Sequence, residues 1–95
     1  MNSKKSELYI LLDKAINMLN ERLSKAPDWQ VLKMIKAQLE AIQSDVNGKG
    51  SLDNEQIKNI NIGILAVREF EADDPEFADI LIKIDYLFSE YNKFY

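Results

Sequence analysis

The chain has 95 residues, of which 46% are hydrophobic and 29% are charged, with only three Gly and two Pro. This composition predicts one folded domain with one core, because disordered chains carry fewer hydrophobic residues. The chain has no Cys and no His, which excludes disulfides, the usual zinc ligand sets and nucleophilic sites that depend on either residue. No apolar run approaches the roughly 20 residues of a membrane span. No secretory leader is recognisable, so a cytoplasmic protein is expected.

Charge is divided unevenly along the chain. Residues 1–50 hold eight Lys and Arg against six Asp and Glu, a net of +2, whereas residues 51–95 hold four against ten, a net of −6. An acidic half argues against DNA, RNA and anionic membranes as partners, because those surfaces bind basic proteins. The expected partner is a protein with a basic surface.

The first two helices are predicted from apolar residues that recur every three or four positions. The first spans about residues 6–25, and its apolar stripe consists of Leu8, Leu12, Ala15, Leu19 and Leu23. The second spans about residues 28–46, and its stripe consists of Leu32, Ile35, Leu39, Ile42 and Val46. Pro27 separates the two, since the residue before a proline disfavours helical geometry. Trp29 is expected to cover one end of the core.

A Gly-rich loop follows the second helix, and two interpretations of it are open. Residues 45–56 match a calcium-binding loop at several positions. However, Lys49 stands where an oxygen donor is normally found, and Gln56 stands in place of the bidentate carboxylate. The simpler interpretation is a turn followed by a capping box between Asp53 and Gln56, which starts the next helix. We therefore expect no metal ion.

The third helix is predicted over residues 54–70. Its inner face is predicted to contain Ile57, Ile60, Ile64 and Val67, with Ile62, Leu65 and Phe70 widening the apolar surface. Gly63 lies inside this helix, where it costs about 1 kcal/mol relative to Ala. A neighbouring helix is therefore expected to approach Gly63 closely.

The fourth helix is predicted over residues 75–92. Asp74 can cap it, Pro75 occupies a first position that requires no backbone N–H, and Glu76 meets the positive end of the helix dipole. Its inner face is predicted to contain Phe77, Ile80, Leu81, Ile84, Leu87, Phe88 and Tyr91. Helices joined by short connections share one core most simply when they pack antiparallel. The expected fold is all-α, a small antiparallel four-helix bundle that forms a single domain over residues 1–95.

Six acidic residues and no basic residue lie within residues 69–79. Two of them are explained by the start of the fourth helix, which leaves Glu69, Glu71, Asp73 and Asp79 without a local structural role. Clustered like charges repel one another unless a positive partner meets them, so these four are candidate binding residues. A catalytic pair of carboxylates is the enzymatic alternative, but nothing in the sequence supplies the apolar cleft it requires. We expect no catalytic residue and no cofactor.

Three segments carry a resemblance to a known family: residues 27–32 (PDWQVL), 62–71 (IGILAVREFE) and 74–79 (DPEFAD). They are similar to the small helical immunity proteins of bacterial type VI secretion, in particular to those that neutralise an NAD(P)+-hydrolysing effector toxin. The resemblance spans roughly residues 8–88. It implies a cytoplasmic inhibitor without catalytic activity, which binds the toxin domain tightly and occludes its active site.

Two functional hypotheses follow from these observations. In the first, the chain is such an immunity protein, and the candidate toxin-binding residues are Glu69, Glu71, Asp73 and Asp79. In the second, it is a helical interaction module that dimerises through Ile62 and Leu65, two apolar residues of the third helix.

Overall fold

The computed structural model describes residues 3–48 and 52–94, and these residues form helices without any strand. The helices are α1 (Ser3–Lys25), α2 (Gln30–Val46), α3 (Asn54–Lys58), α4 (Ile62–Glu69) and α5 (Pro75–Phe94). The expected all-α class is therefore confirmed. Among the described helices, none is long and apolar enough to cross a membrane.

The four longer helices form an antiparallel bundle. Around it, α1 contacts α2, α2 contacts α4, α4 contacts α5, and α5 returns to α1. The Tyr9 hydroxyl, near the start of α1, donates to the Val46 carbonyl at the end of α2, at 2.9 Å. Arg22, near the end of α1, pairs with Asp74 immediately before α5. These cross-contacts join the start of one helix to the end of its neighbour, as antiparallel packing requires.

The core is built from the stripes predicted for α1, α2 and α5. Its fully or nearly fully buried residues in these helices are Leu8, Leu12, Ala15, Leu19, Leu32, Ile35, Leu39, Ile42, Val46, Phe77, Ala78, Ile80, Leu81, Ile84, Leu87 and Phe88. No polar or charged side chain of the described residues is buried with them. The bundle is thus held together by apolar packing, and its charged groups all remain near the surface.

The prediction of one helix over residues 54–70 is wrong, because the chain leaves helical geometry between α3 and α4. The Asn61 backbone N–H donates to Gln38 Oε1 at 2.8 Å, and Gln38 Nε2 donates to Asn61 Oδ1 at 2.6 Å. A side chain of α2 therefore takes the hydrogen bond that a continuous helix would make within itself. Asn favours such breaks because its side chain competes for backbone hydrogen bonds.

The break changes which face of α4 is buried. Ile62, Leu65 and Ala66 are buried in the core, whereas Ile64 and Val67 are 60% and 49% exposed. The predicted inner face is therefore wrong at Ile64 and Val67, because α4 starts anew after the break and does not continue the stripe of α3. Dimerisation through Ile62 and Leu65 is also excluded, since neither side chain is available to a partner.

Two helix starts differ from the prediction. α1 begins at Ser3, three residues earlier than expected, and α2 begins at Gln30. α2 starts late because residues 26–29 form a turn, in which the Trp29 N–H donates to the Ala26 carbonyl at 3.2 Å.

Candidate functional site

Three of the four candidate acidic residues lie where α4 meets α5: Glu69 is the last residue of α4, and Glu71 and Asp73 lie in the turn that follows. We define Glu69, Glu71 and Asp73 as the acidic turn. Glu71 and Asp73 are exposed and Glu69 is half-buried, and none of them takes part in the salt bridges of the described residues. The acidic turn therefore presents three carboxylates that form no ion pair with any residue of the described ranges 3–48 and 52–94.

The backbone of this turn is held by hydrogen bonds and by an aromatic anchor. The Phe70 and Glu71 N–H groups both donate to the Ala66 carbonyl, at 2.9 and 3.0 Å. Phe70 is buried and lies between Trp29 and Phe77, with ring centroids 5.2 and 5.1 Å away. Trp29 contacts the core only at its edge: its ring meets Phe70, and 41% of the residue remains exposed. These contacts fix the position from which the carboxylates extend.

Asp74 belongs to the same acidic run but is neutralised internally. Arg22 Nε and Nη2 donate to Asp74 Oδ2 and Oδ1 at 2.6 and 3.0 Å. Arg22 Nη1 also donates to the Met18 carbonyl at 3.0 Å, and the guanidinium carbon lies 4.6 Å from the centre of the Phe77 ring. The ion pair between Arg22 and Asp74 thus links the end of α1 to the start of α5, and the charge of Asp74 is already compensated within the protein.

The pKa values of this pair shift in the directions that the geometry requires. The side-chain hydrogen bond from Arg22 lowers the pKa of Asp74, and a backbone hydrogen bond from Phe77 lowers it further. The side-chain hydrogen bond to Asp74 raises the pKa of Arg22. A lowering of the Asp74 pKa by the Phe77 backbone is what the predicted capping of α5 by Asp74 requires.

Asp79, the fourth candidate residue, lies in different surroundings. It is exposed on α5 and lines a shallow groove against α1 together with Glu76 and two basic residues, Lys14 and Lys83. The Lys83 ammonium is also 3.8 Å from a carboxylate oxygen of Glu7. The structure therefore brings Glu69, Glu71 and Asp73 together on one turn, and places Asp79 beside basic side chains.

An apolar groove lies between α4 and α5, and it was missed by the sequence reasoning. Its volume is about 430 Å³, and its lining residues are Gly63, Ile64, Val67, Arg68, Ile82, Asp85 and Tyr86. We call it the α4–α5 groove. Ile64, Val67 and Tyr86 are 60%, 49% and 61% exposed, so three large apolar side chains face solvent in one place. The signal in the sequence was Asn59-Ile60-Asn61, which interrupts the helix and turns Ile64 and Val67 outward.

The start of α4 is held against α5 within this groove. The Gly63 N–H donates to Asp85 Oδ2 at 2.7 Å, and a Cβ atom added to Gly63 would lie 2.8 Å from the same oxygen. The predicted close approach of a neighbouring helix to Gly63 is therefore confirmed. The Asp85 carboxylate also supplies an acceptor to an N–H that the first turn of a helix leaves unpaired.

The loop that resembles a calcium site uses its polar side chains to hold the backbone. Asp45 Oδ1 accepts the Leu52 N–H at 2.9 Å. Asp53 and Gln56 form the predicted capping box, with bonds of 2.8 and 2.9 Å. Residues 49–51 lie outside the described residues. In the part of the chain that is described, no group of three or more acidic side chains is placed to hold a metal ion.

The family follows from comparison with known proteins. A sequence profile of the family described as Tsi6 matches residues 7–90. The chain belongs to the Tsi6 family. The matched segment contains the acidic turn and the α4–α5 groove.

A relative in this family supports the assignment both by its sequence and by its solved structure. The immune protein Tsi6 of Pseudomonas aeruginosa is 33% identical to the chain over 70 residues, which cover 74% of this chain and 73% of that protein. The solved structure of Tsi6 from Pseudomonas aeruginosa has a TM-score of 0.78 and 28% identity, and the match covers 85% of this chain and 93% of that one. Sequence and fold therefore agree.

Membership in the Tsi6 family confirms the resemblance to small helical immunity proteins of type VI secretion. The chain is an immunity protein directed against an effector, and the Tsi6 family is not a class of enzymes.

Proposed function

We propose that this immunity protein binds and inhibits an NAD(P)+-degrading effector of type VI secretion, and that it does so by occluding the active site of the toxin domain. Membership in the Tsi6 family carries the proposal. The sequence resemblance to antidotes of NAD(P)+-hydrolysing toxins supports this choice of target. An antidote to such a toxin acts where the metabolite is consumed, so we propose that the chain works in the cytoplasm.

The toxin-binding residues in this proposal are Glu69, Glu71, Asp73 and Asp79. The three residues of the acidic turn are the stronger candidates, because they lack a counter-charge among the described residues and lie on a backbone that is already ordered. Carboxylates in this state gain more from a basic partner than do carboxylates that already pair internally. Asp79 forms none of the salt bridges of the described residues either, but Lys14 and Lys83 line the same groove, together with Glu76. Because these lysines partly offset its charge, its contribution is expected to be smaller.

Protection of a cell from its own toxin requires that the complex rarely dissociates. We therefore expect a dissociation constant of about 1 nM or below, which corresponds to a binding free energy of about −12 kcal/mol or stronger. Affinity at this level comes mainly from slow dissociation, whereas the acidic turn acts mainly on the association rate. The interface therefore needs, in addition to its charged residues, a buried apolar contact that slows dissociation.

Co-expression tests the proposed function directly. The effector toxin domain encoded beside the gene for this chain is expressed in a bacterium that lacks an antidote, with and without this chain. Growth is expected to be rescued, the cellular NAD(P)+ pool to be preserved, and the two proteins to co-purify. Arrested growth despite co-expression of the folded chain would contradict the proposal.

The same experiment separates the target from the antidote role. If the chain rescues growth from a toxin that leaves NAD(P)+ intact, the chain is an antidote to a toxin with another chemistry. In that case only the proposed substrate of the toxin is wrong. If the proteins co-purify while purified toxin still turns over NAD(P)+, occlusion of the active site is wrong.

A further inference from the structure

We infer that the α4–α5 groove is the anchor of the interface with the effector. In this inference, which rests on the proposed function, the groove takes up one aliphatic or aromatic side chain that lies on a basic surface of the toxin domain. The acidic turn, which follows the α4 wall of the groove in the chain, supplies the charged contacts. The inference names a surface of the antidote that its family membership and its charge pattern leave unassigned.

The apolar lining supports an anchor role. Single exposed apolar residues are ordinary on protein surfaces, but Ile64, Val67 and Tyr86 line one concave space of about 430 Å³. Interfaces gain most of their affinity where an apolar or aromatic side chain fills such a pocket and excludes water. Ile10 is equally exposed, but it lies on α1 and does not line this groove.

The walls of the groove are held in place before any partner arrives. The Gly63 N–H bond to Asp85 ties the start of α4 to α5, and buried Phe70 fixes the other end of α4 through its contacts with Trp29 and Phe77. A preformed pocket binds more tightly than one that must be ordered on association, because less conformational entropy is lost.

The charge of the surrounding chain indicates which kind of protein the α4–α5 groove binds. All lining residues belong to residues 51–95, which carry a net charge of −6. Arg68 and Asp85, the two charged residues among those lining the groove, carry opposite charges, so the excess negative charge of residues 51–95 decides which partner is complementary. A second copy of this chain would bring another acidic surface against it, whereas a cationic protein is complementary. We therefore assign the groove to the basic effector rather than to self-association.

Two matched substitutions test the inference. Ile64→Ala removes an anchor contact in the groove, and Ile10→Ala removes the same atoms from a residue of similar exposure on α1, 60% against 68%. The probe is the effector toxin domain that co-purifies with the wild-type chain, titrated by calorimetry or surface plasmon resonance. Ile64→Ala is expected to raise the dissociation constant at least about tenfold, and Ile10→Ala by less than about twofold.

A second variant and a fold control keep the test decisive. Tyr86→Ala, on the α5 wall of the groove, is expected to weaken binding as Ile64→Ala does, while thermal melts show that all three variants remain folded. If Ile64→Ala and Tyr86→Ala bind as Ile10→Ala does, the groove is not the anchor, and the antidote function stands. If the wild-type chain binds no effector, the proposed function and this inference both fail. If sedimentation shows a wild-type dimer that Ile64→Ala dissociates, the groove binds a second copy and the inference is overturned.

Discussion

Replacing Gly63 by Ala measures how closely α4 and α5 approach each other. On helix propensity alone, Ala in place of Gly should stabilise the protein by at most about 1 kcal/mol, the value for a helix interior, since Gly63 lies in the first turn of α4. The structure predicts instead that Gly63→Ala destabilises the protein. A Cβ atom at this position would lie 2.8 Å from Asp85 Oδ2 and 3.2 Å from both Cβ and Cγ of Asp85, so the carboxylate must move away.

The magnitude follows from the bond that is lost. The Gly63 N–H donates to Asp85 Oδ2 at 2.7 Å, and a hydrogen bond to a charged group contributes about 1.5–3 kcal/mol. After a propensity gain of at most about 1 kcal/mol is subtracted, Gly63→Ala is expected to lower the free energy of unfolding by about 0.5–3 kcal/mol.

A double-mutant cycle isolates the contact. In an Asp85→Ala background the carboxylate is absent, so Gly63→Ala no longer meets an obstacle and should stabilise the protein by about 0.5–1 kcal/mol. Urea unfolding followed by circular dichroism gives all four free energies, provided that the transitions are two-state. The predicted reversal of sign corresponds to a coupling energy of about 2 kcal/mol.

Two results would refute this reasoning. If Gly63→Ala stabilises the wild-type chain, the close approach of Asp85 is wrong. If Gly63→Ala has the same effect in both backgrounds, the two residues do not interact, and another cause is needed for the glycine.

Three further predictions concern the bundle and its acidic turn. Asp74→Asn should lower the free energy of unfolding by about 1–2 kcal/mol near neutral pH. Because folding lowers the pKa of Asp74, the wild-type chain keeps this advantage above about pH 5 and loses it as the pH falls below about 4. Urea unfolding at a series of pH values measures the difference. Ile62→Ala should lower the free energy of unfolding by about 2–5 kcal/mol and Ile64→Ala by less than about 0.5 kcal/mol, since only Ile62 is buried. Equal losses of stability in thermal or urea unfolding would contradict the assigned buried face of α4. Combined Glu71→Lys and Asp73→Lys should lower the rate of association with the effector and its dependence on salt, and unchanged rates at low salt in stopped-flow mixing would rule out steering by the acidic turn.

Features that depend on neighbouring residues in the sequence were predictable. The apolar stripe of α2 and the capping box of Asp53 and Gln56 each follow from spacing within one helix or one helix turn. Their energetics are local, so no knowledge of the fold was needed.

Features that depend on distant residues were not predictable in the same way. The break before α4 relies on Gln38, which lies 23 residues before Asn61. The partner that neutralises Asp74 is Arg22, 52 residues away. No local pattern indicates either pairing, and the exposure of Ile64 follows from the break. The candidate site was therefore half predicted: its carboxylates were visible in the sequence, but its apolar groove was not.

The central claim is that this chain stops an effector by binding it and performs no chemistry of its own. Titrating purified chain into a fixed concentration of the purified NAD(P)+-degrading toxin domain tests it most directly, with NAD(P)+ consumption as the readout. The account predicts that turnover falls linearly to zero at a fixed stoichiometric ratio, as expected for a tight inhibitor. Undiminished NAD(P)+ turnover in the presence of excess folded chain would contradict it.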